Sequence, residues 1–234
     1  MKDKEAVRSA WSKMIALNKA VPSWGKAAEK LRSLQPYRGA DTVFAAPGDS
    51  LHQARINCLV DGKNLVMPAP SIRAGFFYIP AHSIQFKDLA TAVTYKGLEK
   101  YGQQLKSAPF TEHSVGVLLT DSLAIDLEGG RIGDGKGFFD LCTALLQEQG
   151  SLHQDWTVYT IISEEQISRD NLPQDKWDIK VSGAITPLKI HAFDTPLQKP
   201  QIFWDVLDRA RIKRIDPLWK LYSKRLKAEG RQTK

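Results

Sequence analysis

The feature that most constrains the fold is a run of glycines between an apolar segment and a helix-like segment. Residues 126–140 read DLEGGRIGDGKGFFD, and five glycines fall within residues 129–137. We call residues 126–140 the glycine loop. The preceding SVGVLLTDSLAID is typical of a buried strand, and the following FFDLCTALLQEQG has helical periodicity. A turn needs one or two glycines, so the others indicate backbone pressed against a ligand. Strand, glycine loop and helix in this order are typical of a phosphate site.

Strand-like and helix-like segments alternate along the rest of the chain. Short apolar runs at TVFAAP, NLVMPAP, WTVYTIIS and DIKVSGAITP predict strands, and AGFFYIP predicts either another strand or the wall of a cleft. Helical periodicity appears at residues 2–20, 21–34 and 51–60, whereas residues 91–113 are loop-rich with little periodic signal. This alternation predicts an α/β fold with a parallel or mixed sheet covered on both faces. Ligands are then expected at the carboxyl ends of the strands.

The positive charge of the chain is concentrated at one end. The formal net charge is +7, and much of the excess lies within residues 209–234. We therefore predict an α/β domain over residues 1–200 and a basic helical extension over residues 201–234. Such an extension is suited to RNA or to an acidic partner, and equally to simple exposure to water. The sequence leaves these alternatives open.

Several classes of protein are disfavoured by the sequence. No apolar run reaches the roughly 18 residues that suggest a membrane span, and the first twenty residues are amphipathic and charged. The two cysteines, Cys58 and Cys142, lie in apolar helical contexts, so a disulfide or a cysteine metal site has little support. The five histidines lack metal-ligand spacing. We predict a cytoplasmic protein with no membrane contact.

The composition of the glycine loop suggests how it could bind phosphate. Glycines allow backbone N–H groups to approach phosphate oxygens, while Arg131 and Lys136 would add charge-assisted contacts. Asp140, in the first helical turn, could reach a magnesium ion that bridges phosphates. The alternative is an exposed strand-to-helix loop in which glycine is merely tolerated. The loop lacks the Gly-Lys-Ser/Thr of a Walker loop and is a poor dinucleotide fingerprint.

Three motifs in order resemble the 5-formyltetrahydrofolate cyclo-ligase family. The glycine loop matches the hallmark of the family, Asp, a few residues, then Gly-x-Arg-Leu-Gly-x-Gly-x-Gly-Tyr-Tyr-Asp. The matching residues are Asp126, Gly129, Arg131, Gly133, Gly135, Gly137 and Asp140. Lys4 and Arg8 match the N-terminal Lys-x-x-x-Arg of the family, and Thr186 and Pro187 match the Thr-Pro that ends a downstream strand. The resemblance covers roughly residues 1–190.

The resemblance implies a NagB/cyclo-ligase-like fold, a Rossmann-like three-layer sandwich, and an ATP- and magnesium-dependent enzyme. Family members convert 5-formyltetrahydrofolate into 5,10-methenyltetrahydrofolate, so the implied partner is a folate-like small molecule. Arg131 and Lys136 are the predicted catalytic residues, and Asp140 is the predicted magnesium ligand. The predicted ATP-binding residues are Lys4, Arg8, Arg131, Gly133, Asp134, Gly135, Lys136, Gly137, Phe138 and Phe139.

The sequence also departs from the family pattern. Phe138 and Phe139 replace the tyrosine pair, and Asp134 stands where many members have Arg. The substrate-side Glu of the family has no clear counterpart, and Asp49 is nearest to it. These departures resemble a divergent branch that includes proteins with a methenyltetrahydrofolate synthetase domain. A non-catalytic nucleotide- or RNA-binding module on the same fold is the alternative to the enzyme.

Two aromatic residues complete the predicted substrate site. Phe76 and Phe77 are suited to stacking on a pterin ring, although an apolar strand of this kind also fits a core position. Together with Asp49, they form the predicted substrate-binding set.

Overall fold

Short apolar strands form one mixed sheet of eight strands, accompanied by a two-stranded hairpin. The computed structural model describes residues 3–17, 23–105, 114–194, 196 and 198–230. The sheet order is β10-β9-β8-β5-β1-β2-β3-β4, and β6 pairs with β7 in the hairpin. The strands are β1 Thr42–Ala45, β2 Asn64–Pro68, β3 Phe76–Ile79, β4 Gln103–Leu105, β5 Val115–Thr120, β6 Ala124–Ile125, β7 Arg131–Ile132, β8 Leu152–Ile161, β9 Gly183–Ile185 and β10 Ile190–Ala192.

Helices connect the strands and cover the sheet. They are α1 Lys4–Leu17, α2 Trp24–Leu31, α3 Gln35–Gly39, α4 His52–Val60, α5 Leu89–Ala92, α6 Tyr95–Tyr101, α7 Phe138–Glu148, α8 Arg209–Arg214 and α9 Asp216–Ala228. The predicted α/β fold with a mixed sheet is confirmed.

The centre of the sheet is parallel, and the chain leaves it in two directions. Strands β2, β1, β5, β8 and β9 pair in parallel, whereas the outer strands β3, β4 and β10 are antiparallel. After β1 the chain continues outward through β2, β3 and β4, but after β5 it continues on the other side through β8, β9 and β10. The carboxyl ends of β1 and β5 therefore flank a topological switch point, where open α/β sheets bind ligands.

Successive residues of the central strands pack on opposite faces of the sheet. Val43 and Ala45 join a core with α2 and α4, whereas Phe44 joins a second core with α7. Because side chains alternate along a strand and both faces are covered, β1 is fully buried and is apolar after Thr42. This explains the uninterrupted apolar runs in the sequence.

The C-terminal helices pack against the same core as α7. Ile212, Ile215 and Leu218 are buried in it, and Trp204, Trp219 and Tyr222 pack around them. Helices α8 and α9 lie within the predicted extension, whereas residues 201–208 form no α-helix. The described part of this extension is therefore docked on the sheet, while the boundary at residue 200 stays a prediction.

The region that lacked periodic signal contains more structure than we expected. Within residues 91–105 the chain forms the last two residues of α5, then α6 and the edge strand β4, while residues 106–113 lie outside the described part. Helix α6 has seven residues, and Gly97 lies within it against the backbone of Thr91. So short a helix, interrupted by glycine, gives little periodic pattern. The other ambiguous segment, AGFFYIP, forms β3.

Two further observations concern the cysteines and the possibility of a membrane span. Cys58 and Cys142 are both buried, and they lie in the two different cores on either face of the sheet. Within the described ranges, the helices are too short or too polar to traverse a bilayer.

Replacing Leu218 by Ala tests whether the C-terminal helices fold with the sheet. Leu218 is fully buried. We expect the free energy of unfolding to fall by about 2–5 kcal/mol, the usual cost of a Leu-to-Ala cavity in a core. Urea unfolding followed by circular dichroism measures this change, and we expect a single transition.

The control is Leu188→Ala, because the side chain of Leu188 is 73% exposed. It should change the free energy of unfolding by no more than about 0.5 kcal/mol. If Leu218→Ala shifts only a separate, minor transition, the C-terminal helices fold independently of the sheet.

Candidate active site at the switch point

A cavity of about 460 Å³ opens at the switch point of the sheet. Its floor includes Phe44 and Thr120 from β1 and β5, and the segments after both strands line it as well. The glycine loop, the start of α7, the cationic side chains of α1 and residues 175–178 form most of the rest of the wall, and Pro68 and Tyr95 also line it. Seven separate parts of the chain therefore meet at one site.

The glycine loop reaches this cavity in an irregular conformation. Gly135 and Gly137 have φ angles of +86° and +60°, in the left-handed region that favours glycine. A Cβ atom on Gly135 would lie 2.9 Å from Nε of Arg8, so a side chain there would also displace that arginine. Gly137 immediately precedes α7, and the amino end of this helix lines the cavity. The loop therefore brings backbone and a helix terminus to the same place, as an anion site requires.

Asp126 fixes the turn at the beginning of the loop. Its Oδ1 accepts hydrogen bonds from the backbone N–H groups of Glu128 and Gly130, at 2.9 and 2.7 Å. Its Oδ2 accepts another from the N–H of Leu172, at 2.9 Å. Asp126 is only 3% exposed, so these donors replace the water that the carboxylate loses. The match of Asp126 to the family motif therefore has a structural explanation.

Arg131 and Asp140 form a buried ion pair beside the cavity. Nη2 of Arg131 donates to both carboxylate oxygens of Asp140, at 2.8 and 2.9 Å, and the N–H of Ile179 donates to Oδ1 at 3.0 Å. Burial alone would lower the pKa of Arg131, but the charge and hydrogen bond of Asp140 raise it above its ordinary value. Arg131 therefore remains a cation. Its Nε is buried without a hydrogen-bond partner among the described residues.

Helix α1 carries two more cations to the cavity. Val7 and Trp11 pack against a small apolar cluster at the β6–β7 hairpin. This packing directs Arg8 to the glycine loop, where its Nε donates to the carbonyl oxygen of Gly133 at 3.2 Å. The four-residue spacing predicted to present Lys4 and Arg8 together does bring both to the cavity lining.

Lys4 is held by two carboxylates. Its Nζ lies 2.7 Å from Oδ2 of Asp175 and also pairs with Asp178. Burial raises the pKa of Asp178, while the hydrogen bond from Lys4 lowers it. Lys4 must leave or share these partners to bind an added anion.

A comparison with family models decides the family of this chain. The model of the 5-formyltetrahydrofolate cyclo-ligase family matches residues 5–187. The chain belongs to the 5-formyltetrahydrofolate cyclo-ligase family. The match begins one residue after Lys4 and includes Arg8, the whole glycine loop and the Thr-Pro pair at residues 186–187.

Curated relatives include methenyltetrahydrofolate synthase domain-containing proteins of Homo sapiens and Danio rerio. The human protein is 26% identical over 211 residues, which cover 86% of this chain and 53% of the relative. The Danio rerio protein is 25% identical over 202 residues, which cover 84% and 52%. This cyclo-ligase family member therefore spans about half the length of the curated relatives it matches.

Two solved structures share the fold. The 5,10-methenyltetrahydrofolate synthetase of Aquifex aeolicus superposes with a TM-score of 0.55 at 18% identity, covering 87% of this chain and 99% of the other. The synthetase of Mycoplasma pneumoniae gives 0.50 at 17% identity, covering 79% and 99%. These likenesses confirm the architecture that the resemblance implied.

The cavity brings together most of the predicted ATP and metal residues of this family member. Those that line it are Lys4, Arg8, Arg131, Gly133, Asp134, Gly135, Gly137, Phe138, Phe139 and Asp140. Lys136 does not line it. The Lys136 side chain is 67% exposed, with its Nζ 3.4 Å from Asp134, and it borders a smaller neighbouring cavity of about 190 Å³. Its assigned part in catalysis therefore lacks the contact with the main cavity that it requires.

The predicted substrate residues also lie outside the lining. Phe76 is 1% exposed and belongs to the core with α7, because it points inward from β3. Phe77 lies on the other face of β3 and packs against Gly102. Asp49 is exposed beyond the end of β1. Of the two interpretations of the phenylalanines, the core position agrees with the structure.

Sequence reasoning missed a group of residues on the opposite wall. Asp121 follows β5 and is open to the cavity, and Tyr95 at the start of α6 lies near it. Burial raises the pKa of Tyr95 to about 12. Arg55 lies behind this wall and is only 2% exposed. Burial lowers the pKa of Arg55 to about 10. The available signal for Asp121 was an acid that interrupts the apolar run SVGVLLTDSLAID, which we predicted as one strand but which forms β5, a break at Asp121 and then β6.

Replacing Asp140 by Asn removes the charge that compensates buried Arg131. We expect the free energy of unfolding to fall by about 3–5 kcal/mol, the usual cost of leaving one member of a buried pair uncompensated. Urea unfolding at neutral pH measures it. The control is Asp134→Asn, whose side chain is 59% exposed, and which should cost no more than about 0.5 kcal/mol.

The same variant tests the predicted metal role of Asp140. Undiminished stability of Asp140→Asn, accompanied by loss of magnesium-dependent ATP binding, would favour a magnesium ligand over a structural partner of Arg131.

Proposed function

We propose that this chain is an ATP-dependent cyclo-ligase that converts 5-formyltetrahydrofolate into 5,10-methenyltetrahydrofolate, with magnesium as the accompanying ion. One observation carries the proposal. The glycine loop, the amino end of α7 and the cations Lys4, Arg8 and Arg131 all line the cavity at the switch point. These features match the part of the family pattern that concerns ATP.

The cationic wall is suited to a polyphosphate. Arg131 is held as a cation by Asp140 and retains an Nε donor without a described partner, and an unpaired buried donor favours a ligand that can accept from it. Arg8 lies against the loop carbonyl of Gly133, and Lys4 can exchange its carboxylate partners for phosphate oxygens. A phosphate bound here would lie beside an α-helix amino end, which also favours negative charge.

The proposed reaction requires positioning more than a reactive side chain. The formyl oxygen attacks the terminal phosphorus of ATP, and ADP leaves. The neighbouring nitrogen of the folate then attacks the activated formyl carbon, its proton is lost, and phosphate departs with the electron pair of the carbon–oxygen bond. The protein must hold the formyl oxygen in line with the phosphorus and exclude water.

A covalent route through cysteine is disfavoured. Cys142 is the cysteine that lines the cavity, and burial raises the pKa of its thiol well above the usual range, with the charge of Asp140 adding to the effect. The thiol therefore stays protonated at neutral pH, and the thiolate is the nucleophilic form.

Magnesium would neutralise phosphate charge when bound. Within the described residues, no three His, Cys, Asp or Glu side chains are grouped to hold a metal ion. Asp140 is engaged by Arg131, whereas Asp134 is exposed and lines the cavity. We infer that the ion is carried mainly by the phosphates of ATP, with Asp134 as an available protein carboxylate, in keeping with the usual preference of Mg²⁺.

Turnover tests the proposed function directly. We expect ATP to be converted into ADP and phosphate in the presence of 5-formyltetrahydrofolate, with one methenyl product formed per ATP. Tetrahydrofolate, which lacks the formyl oxygen, is the matched control and should give no turnover.

Two results would contradict this proposal. Binding of ATP without turnover on any formylated folate would favour a non-catalytic nucleotide-binding module. Tight RNA binding without ATP turnover would favour the RNA-binding alternative, with the basic α8 and α9 as its first candidate surface.

A pair of variants tests the phosphate role of the cavity cations. Arg8→Ala should weaken ATP binding by about 1.5–3 kcal/mol, the scale of a hydrogen bond to a charged group. Lys136→Ala removes the same charge from an exposed position and should weaken it by no more than about 1 kcal/mol. Calorimetric titration with ATP and magnesium measures both. Equal losses of ATP affinity in the two variants would show that Lys136 also contacts the phosphates of ATP.

A further inference from the structure

The cavity contains one carboxylate that the proposed ATP chemistry does not use. Asp121 follows β5 at the switch point, and its side chain is exposed to the cavity. Its carboxylate has no hydrogen bond from another side chain in the described part of the protein. Asp140 and Asp178, by contrast, are occupied by Arg131 and Lys4.

Asp121 lies against the backbone of the segment that follows β1, where there is no space for a side chain. A Cβ atom built on Gly48 would overlap the carboxylate of Asp121, so glycine lets the two segments approach. Arg55 fixes this wall, because its Nη1 donates to the carbonyl oxygens of Ala46 and Gly48 at 2.7 and 2.9 Å. Its Nε donates to the carbonyl oxygen of Val93 at 3.0 Å. The carboxylate therefore has a defined position against a rigid wall.

The surroundings of Asp121 suit a flat ring better than a phosphate. Five aromatic side chains line the cavity, namely Phe44, Tyr95, Phe138, Phe139 and Trp177. Enclosure by the cavity walls raises the pKa of Asp121, and the charge of Asp134 adds to this, while its own backbone, Arg131 and Arg55 favour the charged form. An anionic ligand in contact with Asp121 would be repelled, so this part of the cavity calls for hydrogen-bond donors.

We propose that Asp121 recognises the donor edge of the substrate ring and so determines specificity for a 2-amino-4-oxo pterin. This inference rests on the proposed function. The N3–H and 2-amino groups of such a ring point the same way, and the two oxygens of one carboxylate can accept a hydrogen bond from each. Asp121 thereby orients the ring, and the cations of the opposite wall receive ATP.

Direct binding tests the proposed contact. The affinity of 5-formyltetrahydrofolate is measured by calorimetry, without ATP, for the wild type and for Asp121→Asn. The same titration is repeated with the analogue that carries a 2-methyl group in place of the 2-amino group. We expect Asp121→Asn to bind 5-formyltetrahydrofolate about tenfold to a hundredfold more weakly, the scale of a charge-assisted hydrogen bond. The 2-methyl analogue should bind both proteins with affinities that differ much less.

Two further variants control the experiment. Asp41→Asn makes the same change of charge at an exposed residue before β1, at the opposite end of the sheet, and should leave folate affinity unchanged. Asp121→Ser removes both carboxylate oxygens and should repeat the loss. Urea unfolding confirms that each variant is folded.

The outcomes separate this inference from the proposed function. Wild-type turnover with unchanged folate affinity in both Asp121 variants overturns the inference alone. Equal losses for 5-formyltetrahydrofolate and for the 2-methyl analogue also overturn it, because the contact would then not be with the amino group. A change only in the magnesium dependence of turnover would make Asp121 a metal ligand instead. A wild type that neither binds nor converts any folate overturns both proposals.

Discussion

The ion pair of Arg131 and Asp140 is the interaction on which the site depends. It joins β7 to the first turn of α7, and Asp140 also accepts a hydrogen bond from the backbone N–H of Ile179. Two positions of the glycine loop and the distant residue Ile179 thus share one buried contact. A buried charge is stable only with a partner, so the loop between the two residues is closed into a fixed path. Asp126 fixes the preceding turn in a similar way, by accepting hydrogen bonds from three backbone N–H groups.

This arrangement changes how the glycine loop is understood. Its glycines do not make the segment adaptable, because two inward carboxylates determine its course. Gly135 admits the side chain of Arg8, and Gly137 takes a left-handed conformation before α7. The glycines are therefore places where the path fixed by the carboxylates leaves no space or no permitted angle for a side chain.

The sequence predicted those parts of the site whose geometry is local. The strand–loop–helix order and the four-residue spacing of Lys4 and Arg8 both depend on short-range periodicity, and both lead to the cavity. The direction of an individual loop side chain, by contrast, cannot be predicted from short-range periodicity. Lys136 lies two residues from Asp134 in a segment without regular periodicity, and the turn directs it outward. Phe76 shows a second reason why side-chain positions are hard to predict. A strand with an aromatic pair has the same sequence pattern whether it faces a ligand or the core.

The missed residues depend on strand order. Asp121 and Gly48 meet only because β5 lies next to β1 in the sheet, although strands β2, β3 and β4 and several helices separate β1 from β5 along the chain. Arg55 in α4 donates hydrogen bonds to backbone carbonyl oxygens of the same wall. A contact with backbone leaves no side-chain motif in the sequence. Helices α8 and α9 cover one face of the sheet because apolar residues such as Leu218 are buried there. The positive charge of that part of the sequence gives no indication of this packing.

The close approach of Gly48 and Asp121 links the evolution of these two positions. Any side chain at position 48 would collide with a carboxylate at position 121, so an ancestor lacking one of these residues could acquire the acid only after, or together with, the glycine. Glycine at position 48 does not in turn demand an acid, since a smaller residue at position 121 leaves more space. The substitution pattern should therefore be asymmetric among relatives: acids at 121 accompany glycine at 48, while glycine at 48 accompanies many residues.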